Sequence, residues 1–353
     1  MLGRCVLLLV LVVVAGTGCD TLADRILERG ARRTLEQSRD DLLDDGRLNV
    51  VLCGTGSPLA SADRASSCTA VMAGGHFFVV DVGPGALRNL GVWRFPLARL
   101  DGVLLTHFHS DHIGDLGEAV TQAWIAGHRE PLAVYGPPGV ERVVAGFQDA
   151  YALDRDYRVT HHGASNLPPA GGLMAARTVA LPSADEPAVV FDADGLRVTA
   201  FRVDHTPAEP AYGYRFDYKG RSVVVSGDTK RSENVVRNAR GADVLVHEAL
   251  AGHMVEAASR VAAEGGNERL SKLSKDILDY HTTPREAVEV ASEAGVSTLV
   301  LTHLVPAPFN ALVEWVFLRG TKGIWEGELI IGEDGLHLAL PPDSQEIVVD
   351  EIS

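Results

Sequence analysis

The segment T-H-F-H-S-D-H-I-G at residues 106–114 places His107, His109, Asp111 and His112 within six positions. Imidazole nitrogen and carboxylate oxygen both suit Zn²⁺, and four such groups so close together can be divided between two neighbouring ions. The apolar residues Val103, Leu104 and Leu105 just before them read as a buried strand whose end presents the donors, which a polar loop with scattered histidines would not require. Asp111 is placed to cap a helix starting near Ile113, and Gly114 lets the backbone pass close to the site. The pattern points to a binuclear zinc hydrolase; Mn²⁺ or Fe²⁺ would also suit these donors.

A chain of 353 residues with 46% hydrophobic content can bury a substantial core in one large domain or two small ones. Its formal net charge of −15 opposes phosphate-rich polymers, so a small or medium-sized ester is the expected substrate and nucleic acid an unlikely partner. A homodimer is compatible with the chain. At the N-terminus, Arg4, an apolar run over 6–15 and Gly16-Thr17-Gly18 before Cys19 have the pattern of a bacterial lipoprotein signal over residues 1–19. Lipid on Cys19 would place the protein in the cell envelope, anchored to the membrane; ordinary secretion or an uncleaved anchor are the alternatives. Residues 20–46 are charged, carry Ile26, Leu27, Leu35, Leu42 and Leu43 at loosely helical spacing, and read as a stalk. With Cys5 lost in the signal and Cys19 lipidated, Cys53 and Cys68 remain, either as a disulfide or as two buried thiols; their apolar surroundings favour the thiols.

The main domain is expected over 47–342, followed by an acidic tail over 343–353. Short apolar runs alternate with glycine turns at 50–52, 69–72, 77–80, 103–105 and 132–135, and again at 196–203, 212–218, 222–226, 244–247 and 298–302. Helical stretches are expected at 115–126, 140–151 and 284–294, the last opened by Thr283 and Pro284. Residues 161–186, rich in Pro, Ala and Gly, read as a loop, with His161 and His162 solvated beside it. Two strand-rich halves, each with helices, give an α/β fold: a four-layered αββα sandwich with metals along one edge.

Further ligand candidates sit where that edge demands them. His205 follows the run ending at Val203, Asp228 ends Val223-Val224-Val225 within S-G-D-T, and His303 ends Leu299-Val300-Leu301-Thr302; His281 lies just before the helix at Pro284. Each alone is weak, since an aspartate in a turn is ordinarily a cap and a histidine after a strand a satisfied core residue. Together they occupy strand ends, where open-sheet active sites gather.

These motifs give the chain a family likeness. The dense cluster, the later histidine, the S-G-D-T aspartate and the final L-T-H resemble the metallo-β-lactamase superfamily of binuclear hydrolases. C-G-T-G-S-P at 53–58, D-V-G-P-G at 81–85, Y-G-P-P-G at 135–139, D-H-T-P-A-E-P-A-Y-G-Y-R at 204–215, H-E-A at 247–249 and H-T-T at 281–283 are similar to its ribonuclease Z and arylsulfatase branch. The likeness covers roughly 48–340. It implies that His107, His109 and His205 hold one zinc, that Asp111, His112 and His303 hold the other, and that Asp228 bridges them. It also implies that His281 is a proton donor to the leaving group; in a two-metal mechanism Asp111 could orient the nucleophile while ligating. Glu248 either orients His281 or serves packing. Only a few residues, F-D-Y-K-G-R after Arg215, separate Tyr214 from the strand at Ser222, so no long RNA-gripping arm lies there. The expected function is therefore a phosphodiesterase or arylsulfatase-like esterase of the envelope. The alternatives are a ribonuclease Z-like endonuclease, a lactonase or β-lactamase, or a metal-binding lipoprotein without turnover.

Overall fold

The computed structural model describes residues 23–32 and 38–352. It divides into two units, residues 1–39 and 40–353. In the first, helix α1 covers 23–32 with every residue exposed. The signal and Cys19 lie outside the described residues. Among the described residues no helix is long and apolar enough to cross a membrane.

The second unit contains two sheets. One runs β15 (Val348–Glu351), β14 (Leu336–Leu340), β1 (Leu48–Gly54), β2 (Cys68–Ala73), β3 (His76–Val80), β4 (Gly102–Leu104), β5 (Leu132–Gly136), β6 (Met174–Thr178). The other runs β13 (Glu328–Ile331), β12 (Thr298–Val305), β11 (Val244–Leu250), β10 (Arg221–Val225), β9 (Ala211–Tyr218), β8 (Leu196–Val203), β7 (Ala188–Ala193).

Strand alternation explains the layering. Val50, Leu52, Val71, Phe78 and Val80 face one way and meet Val198, Tyr214, Phe216, Val223, Val246 and Val300 of the second sheet. Their neighbours Val51, Ala70, Met72, Phe77 and Val79 face the other way, onto α3 (Ala86–Val92) and α5 (Leu116–Ala126) through Leu87, Leu90, Leu116 and Val120. On the far side Phe201, Val224, Leu245, Leu299 and Leu301 pack on α8 (Glu233–Ala239) and α11 (Pro284–Ala294). The result is the expected αββα sandwich. Because both faces of the central strands are covered, they read as near-continuous apolar runs, and all of β1, β10, β11 and β12 is buried.

The fold departs from the sequence expectations at three places. Cys53 and Cys68 form a disulfide rather than two thiols: the β1–β2 register shifts between Leu52 and Gly54, and this irregularity sets the two Cα atoms 4.9 Å apart. The stretch 161–186 is more than a loop: it contains β6, whose backbone pairs in parallel with β5. The residues expected as an acidic tail add edge strand β15 to β14, with Ile352 buried behind it. All of β15 is exposed, and Asp350 and Glu351 put charge on the sheet edge, which discourages further pairing. His161 and His162 end α7 (Ala152–His162) as exposed residues.

Candidate metal centre

Parallel strands β3, β4 and β5, and β10, β11 and β12, point their carboxyl ends at one edge, where the ligand candidates gather. His107 follows β4. His109 is the extended N-cap of the single-turn helix α4 (Ser110–Ile113), which carries Asp111 and His112. Asp111 therefore lies within α4 and caps no helix near Ile113. Gly114 is required: a Cβ there would come within 2.7 Å of Pro84 and 2.9 Å of the Ser110 carbonyl. His205 follows β8 and Asp228 follows β10. His303 is the unpaired residue of an irregularity in β12, since Glu248 pairs with Thr302 and Ala249 with Leu304. Its φ of 46° is left-handed, a cost of about 1–3 kcal/mol that the surrounding sheet carries and that re-aims the ring at the edge.

Two donor groups result. His107 Nε2 and His109 Nδ1 are 2.8 Å apart, and His205 Nε2 is 3.3 Å from His109 Nδ1. In the other group Asp111 Oδ2 lies 3.1 Å from His303 Nε2 and 3.5 Å from His112 Nε2. Asp228 Oδ2 reaches both groups: 3.9 Å to His107, 3.8 Å to His205, 3.3 Å to His112 and 3.3 Å to His303. Ligand atoms held about 2.0–2.1 Å from a tetrahedral ion lie roughly 3.3 Å from one another, so these spacings fit ions seated between them. His112 Nε2 is buried without a hydrogen bond although two carboxylate oxygens lie within 3.5 Å, as a lone pair aimed at a cation would be. The residues thus fit two divalent ions, His107, His109, His205 and Asp228 for one and Asp111, His112 and His303 for the other, with Asp228 Oδ2 in reach of the second group as well.

Electrostatics agree with that division. Burial and the neighbouring His112 hold His107 well below the ordinary imidazole range, and burial likewise lowers His109 and His205. Burial opposes charge on His112, but Asp228 and Asp81 override it and hold that ring well above its usual range. Burial also opposes charge on Asp228 and Asp111, yet the surrounding histidines keep both carboxyls below their ordinary values, Asp228 strongly so. Cation binding works against the raised value of His112, since a ligating imidazole is neutral.

Asp81 was not identified in the sequence. Its Oδ2 accepts from His112 Nδ1 at 2.7 Å and from Thr106 Oγ1 at 2.8 Å, while Oδ1 accepts from the Thr106 amide at 2.8 Å. This fixes the His112 tautomer with Nε2 toward the centre. His205 is oriented similarly, its Nδ1 donating to the Tyr280 carbonyl at 2.9 Å. The available signal for Asp81 was its place at a strand end in D-V-G-P-G.

His281 and Glu248 are brought together beside the two groups. His281 Nδ1 donates to Glu248 Oε1 at 2.9 Å, and that oxygen also accepts from the Thr229 and Thr282 amides at 3.1 and 3.2 Å. Burial works against charge on His281, but Glu248 outweighs it and pushes the ring up to about 9. A cavity of about 270 Å³ opens over the site, lined by His109, Asp111, Asp228, His281 and His303, with Ser57, Pro58, Leu59 and Tyr280 among its walls. A larger cavity of about 510 Å³ beside Trp315 and Trp325 contains none of the ligand candidates, so the chemistry belongs to the smaller one.

Residues 76–304 match the family described as Beta-lactamase superfamily domain. Ribonuclease Z of Mycolicibacterium paratuberculosis is 39% identical over 294 residues, covering 82% of this chain and 97% of the relative. Ribonuclease Z of Mycolicibacterium gilvum is 34% identical, covering 82% and 95%. The chain belongs to the metallo-β-lactamase superfamily and, within it, to the ribonuclease Z family. Among solved structures, the short form of human tRNase Z superposes with a TM-score of 0.59 at 21% identity, covering 83% of this chain and 99% of that one. The metallo-β-lactamase fold protein YhfI of Bacillus subtilis gives 0.57 at 21%, with the same coverage.

Membership of the ribonuclease Z family overturns the expectation that nucleic acid is an unlikely partner. The charge of −15 is a sum over the whole chain that includes no bound cation, whereas at a metal centre the ions are the largest local charges. Within the centre, Asp81→Asn would turn an amide N–H₂ toward donors at His112 or Thr106. It should weaken metal binding by about 10- to 100-fold in a chelator competition. Unchanged affinity would show that Asp81 only closes the turn after β3.

Proposed function

We propose that this protein is a zinc-dependent phosphodiesterase of the ribonuclease Z type that cleaves RNA. The observation that carries the reading is a pair of donor groups bridged by Asp228, with the Glu248-paired His281 beside them, in a chain similar to ribonuclease Z over 82% of its length. The chemistry two such ions supply when bound is polarisation of the phosphoryl group and activation of water at neutral pH. The chain's own residues do the rest. Asp111, which lines the cavity, accepts a hydrogen bond from the attacking water and aims it. His281 has its Nδ1 engaged by Glu248, so its other nitrogen faces the substrate and delivers a proton to the departing oxygen. Glu248 holds that ring in place through the same oxygen that the Thr229 and Thr282 amides fix.

The similarity favours RNA over the small ester expected from charge, even though β9 and β10 are joined by a tight turn at Lys219 and Gly220 that leaves no arm between them. The test is cleavage by zinc-loaded protein of a tRNA transcript, a single-stranded oligoribonucleotide, a DNA oligomer and bis(4-nitrophenyl) phosphate. Defined cleavage of either RNA is expected. Turnover of the small diester with both RNAs intact would sink the RNA reading while leaving the phosphodiesterase chemistry in place.

A further inference from the structure

One wall of the cavity is made by Ser57, Pro58 and Leu59, in a loop over 54–67 whose ends are joined by the Cys53–Cys68 disulfide. Both arms of this loop converge on one side chain that no motif suggested, Asp334, in the turn between β13 and β14. Its Oδ1 accepts from the Thr55 amide at 2.9 Å and the Thr55 hydroxyl at 2.7 Å. Its Oδ2 accepts from the Ala65 amide at 2.6 Å and from Asn89 Nδ2, on α3, at 2.9 Å. The arms themselves are packed backbone against backbone. Gly56 N donates to the Ala65 carbonyl at 2.8 Å, and a Cβ at Gly54 would lie 1.8 Å from the Ser66 carbonyl oxygen. Arg64 closes the base, reaching Thr55 Oγ1 at 2.7 Å and the Gly332 carbonyl at 2.5 Å. The tip is exposed, Leu59 to 56%, so its position is set from the base.

We infer that Asp334 is a positioning residue for the hydrolytic reaction, holding the 54–67 loop so that Ser57, Pro58 and Leu59 wall the substrate cavity. The inference rests on that cavity being the hydrolytic site. An amide cannot replace the carboxylate. Each oxygen accepts from two donors, so whichever way an asparagine turned, its N–H₂ would face a pair of N–H or O–H groups. The turn at 82–85 touches the loop, Ser66 N donating to the Pro84 carbonyl and Gly83 N to the Ser67 carbonyl, each at 3.0 Å, but the metal ligands on α4 have further supports: Val82 N donates to the His112 carbonyl at 2.7 Å, and Asp115 Oδ2 accepts from the Gly85 and Leu87 amides at 2.9 and 3.2 Å. The Thr55 carbonyl also accepts from the Leu304 amide at 3.0 Å, beside His303; Asp334→Asn spares that backbone bond, so loosening the loop should act on substrate binding with the metal ligands in place.

The test compares full-length wild type, Asp334→Asn and Thr55→Val with bis(4-nitrophenyl) phosphate, together with metal content and the rate of proteolysis within 57–64. Asp334→Asn should raise KM by about 5- to 30-fold, the range for losing one or two buried hydrogen bonds. Its kcat should stay within about twofold, a split that marks lost binding rather than lost chemistry, with metal content unchanged and faster cleavage of the loop. Thr55→Val, which removes only a hydroxyl, should move KM in the same direction by less. An unchanged KM in folded Asp334→Asn, or a parallel fall of kcat, metal and stability, overturns the inference. If Asp334→Asn does not fold, an unchanged KM in Thr55→Val does so instead. Should wild type hydrolyse no phosphodiester, the proposed function fails, and the proteolysis rates still decide whether Asp334 holds the loop.

Discussion

Replacing Asp228 with alanine should reduce bound metal from two divalent ions per chain to one or none. Hydrolysis should fall by more than the ~10²-fold upper end found for residues that only orient a ligand. The expectation follows from one oxygen: Asp228 Oδ2 lies within 3.9 Å of ligand nitrogens on His107, His205, His112 and His303, so its removal strips a donor from both groups at once. Asp228→Asn is the sharper control, because it keeps the shape but can present a donor N–H₂ to nitrogens that must stay lone-pair donors for a cation. Elemental analysis after reconstitution and a melting curve in chelator check the two halves of the argument separately. Two ions retained in Asp228→Ala would show that each triad of protein ligands suffices alone.

Much of this was legible in the chain because it depended on local composition. The central strands are covered on both faces, so stretches such as 50–52 and 299–301 read as unbroken apolar runs. The ligands stood out jointly: each alone reads as a cap or a core residue, but several of them end such runs together. What was hidden depended on partners distant in sequence. Asp334 meets Thr55 across 279 positions, and Asp81 meets His112 across 31, and neither spacing has a periodic signal. The disulfide depended on a register shift within β1, which composition does not reveal. β6 escaped notice because only Met174 of its residues is fully buried, so alternation is faint there. The charge sum misled about nucleic acid for a related reason: it averages over a surface, whereas recognition is set at the site.

Replacing His281 with alanine should lower turnover on RNA by roughly the 10²–10⁴ expected for lost general acid catalysis, with metal content unchanged. The ring is not in either donor group defined by the clusters at His107 and Asp111, though it comes within reach of Asp228 and His303. Its Nδ1 is committed to Glu248, and Glu248 holds the proton on the ring by raising it to about 9 despite burial. A ring that keeps its proton at neutral pH is a poor metal ligand and a competent acid. The loss should therefore depend on the leaving group: large for a ribose oxygen, which must be protonated as it departs, and small for nitrophenolate, which leaves as an anion. Glu248→Gln should reproduce the pattern more weakly, because the amide can still accept from His281 but no longer stabilises its charge. Equal losses for both leaving groups in His281→Ala would instead make the ring a substrate-positioning group, and a loss of metal would make it a ligand; only the leaving-group dependence with metal retained identifies an acid.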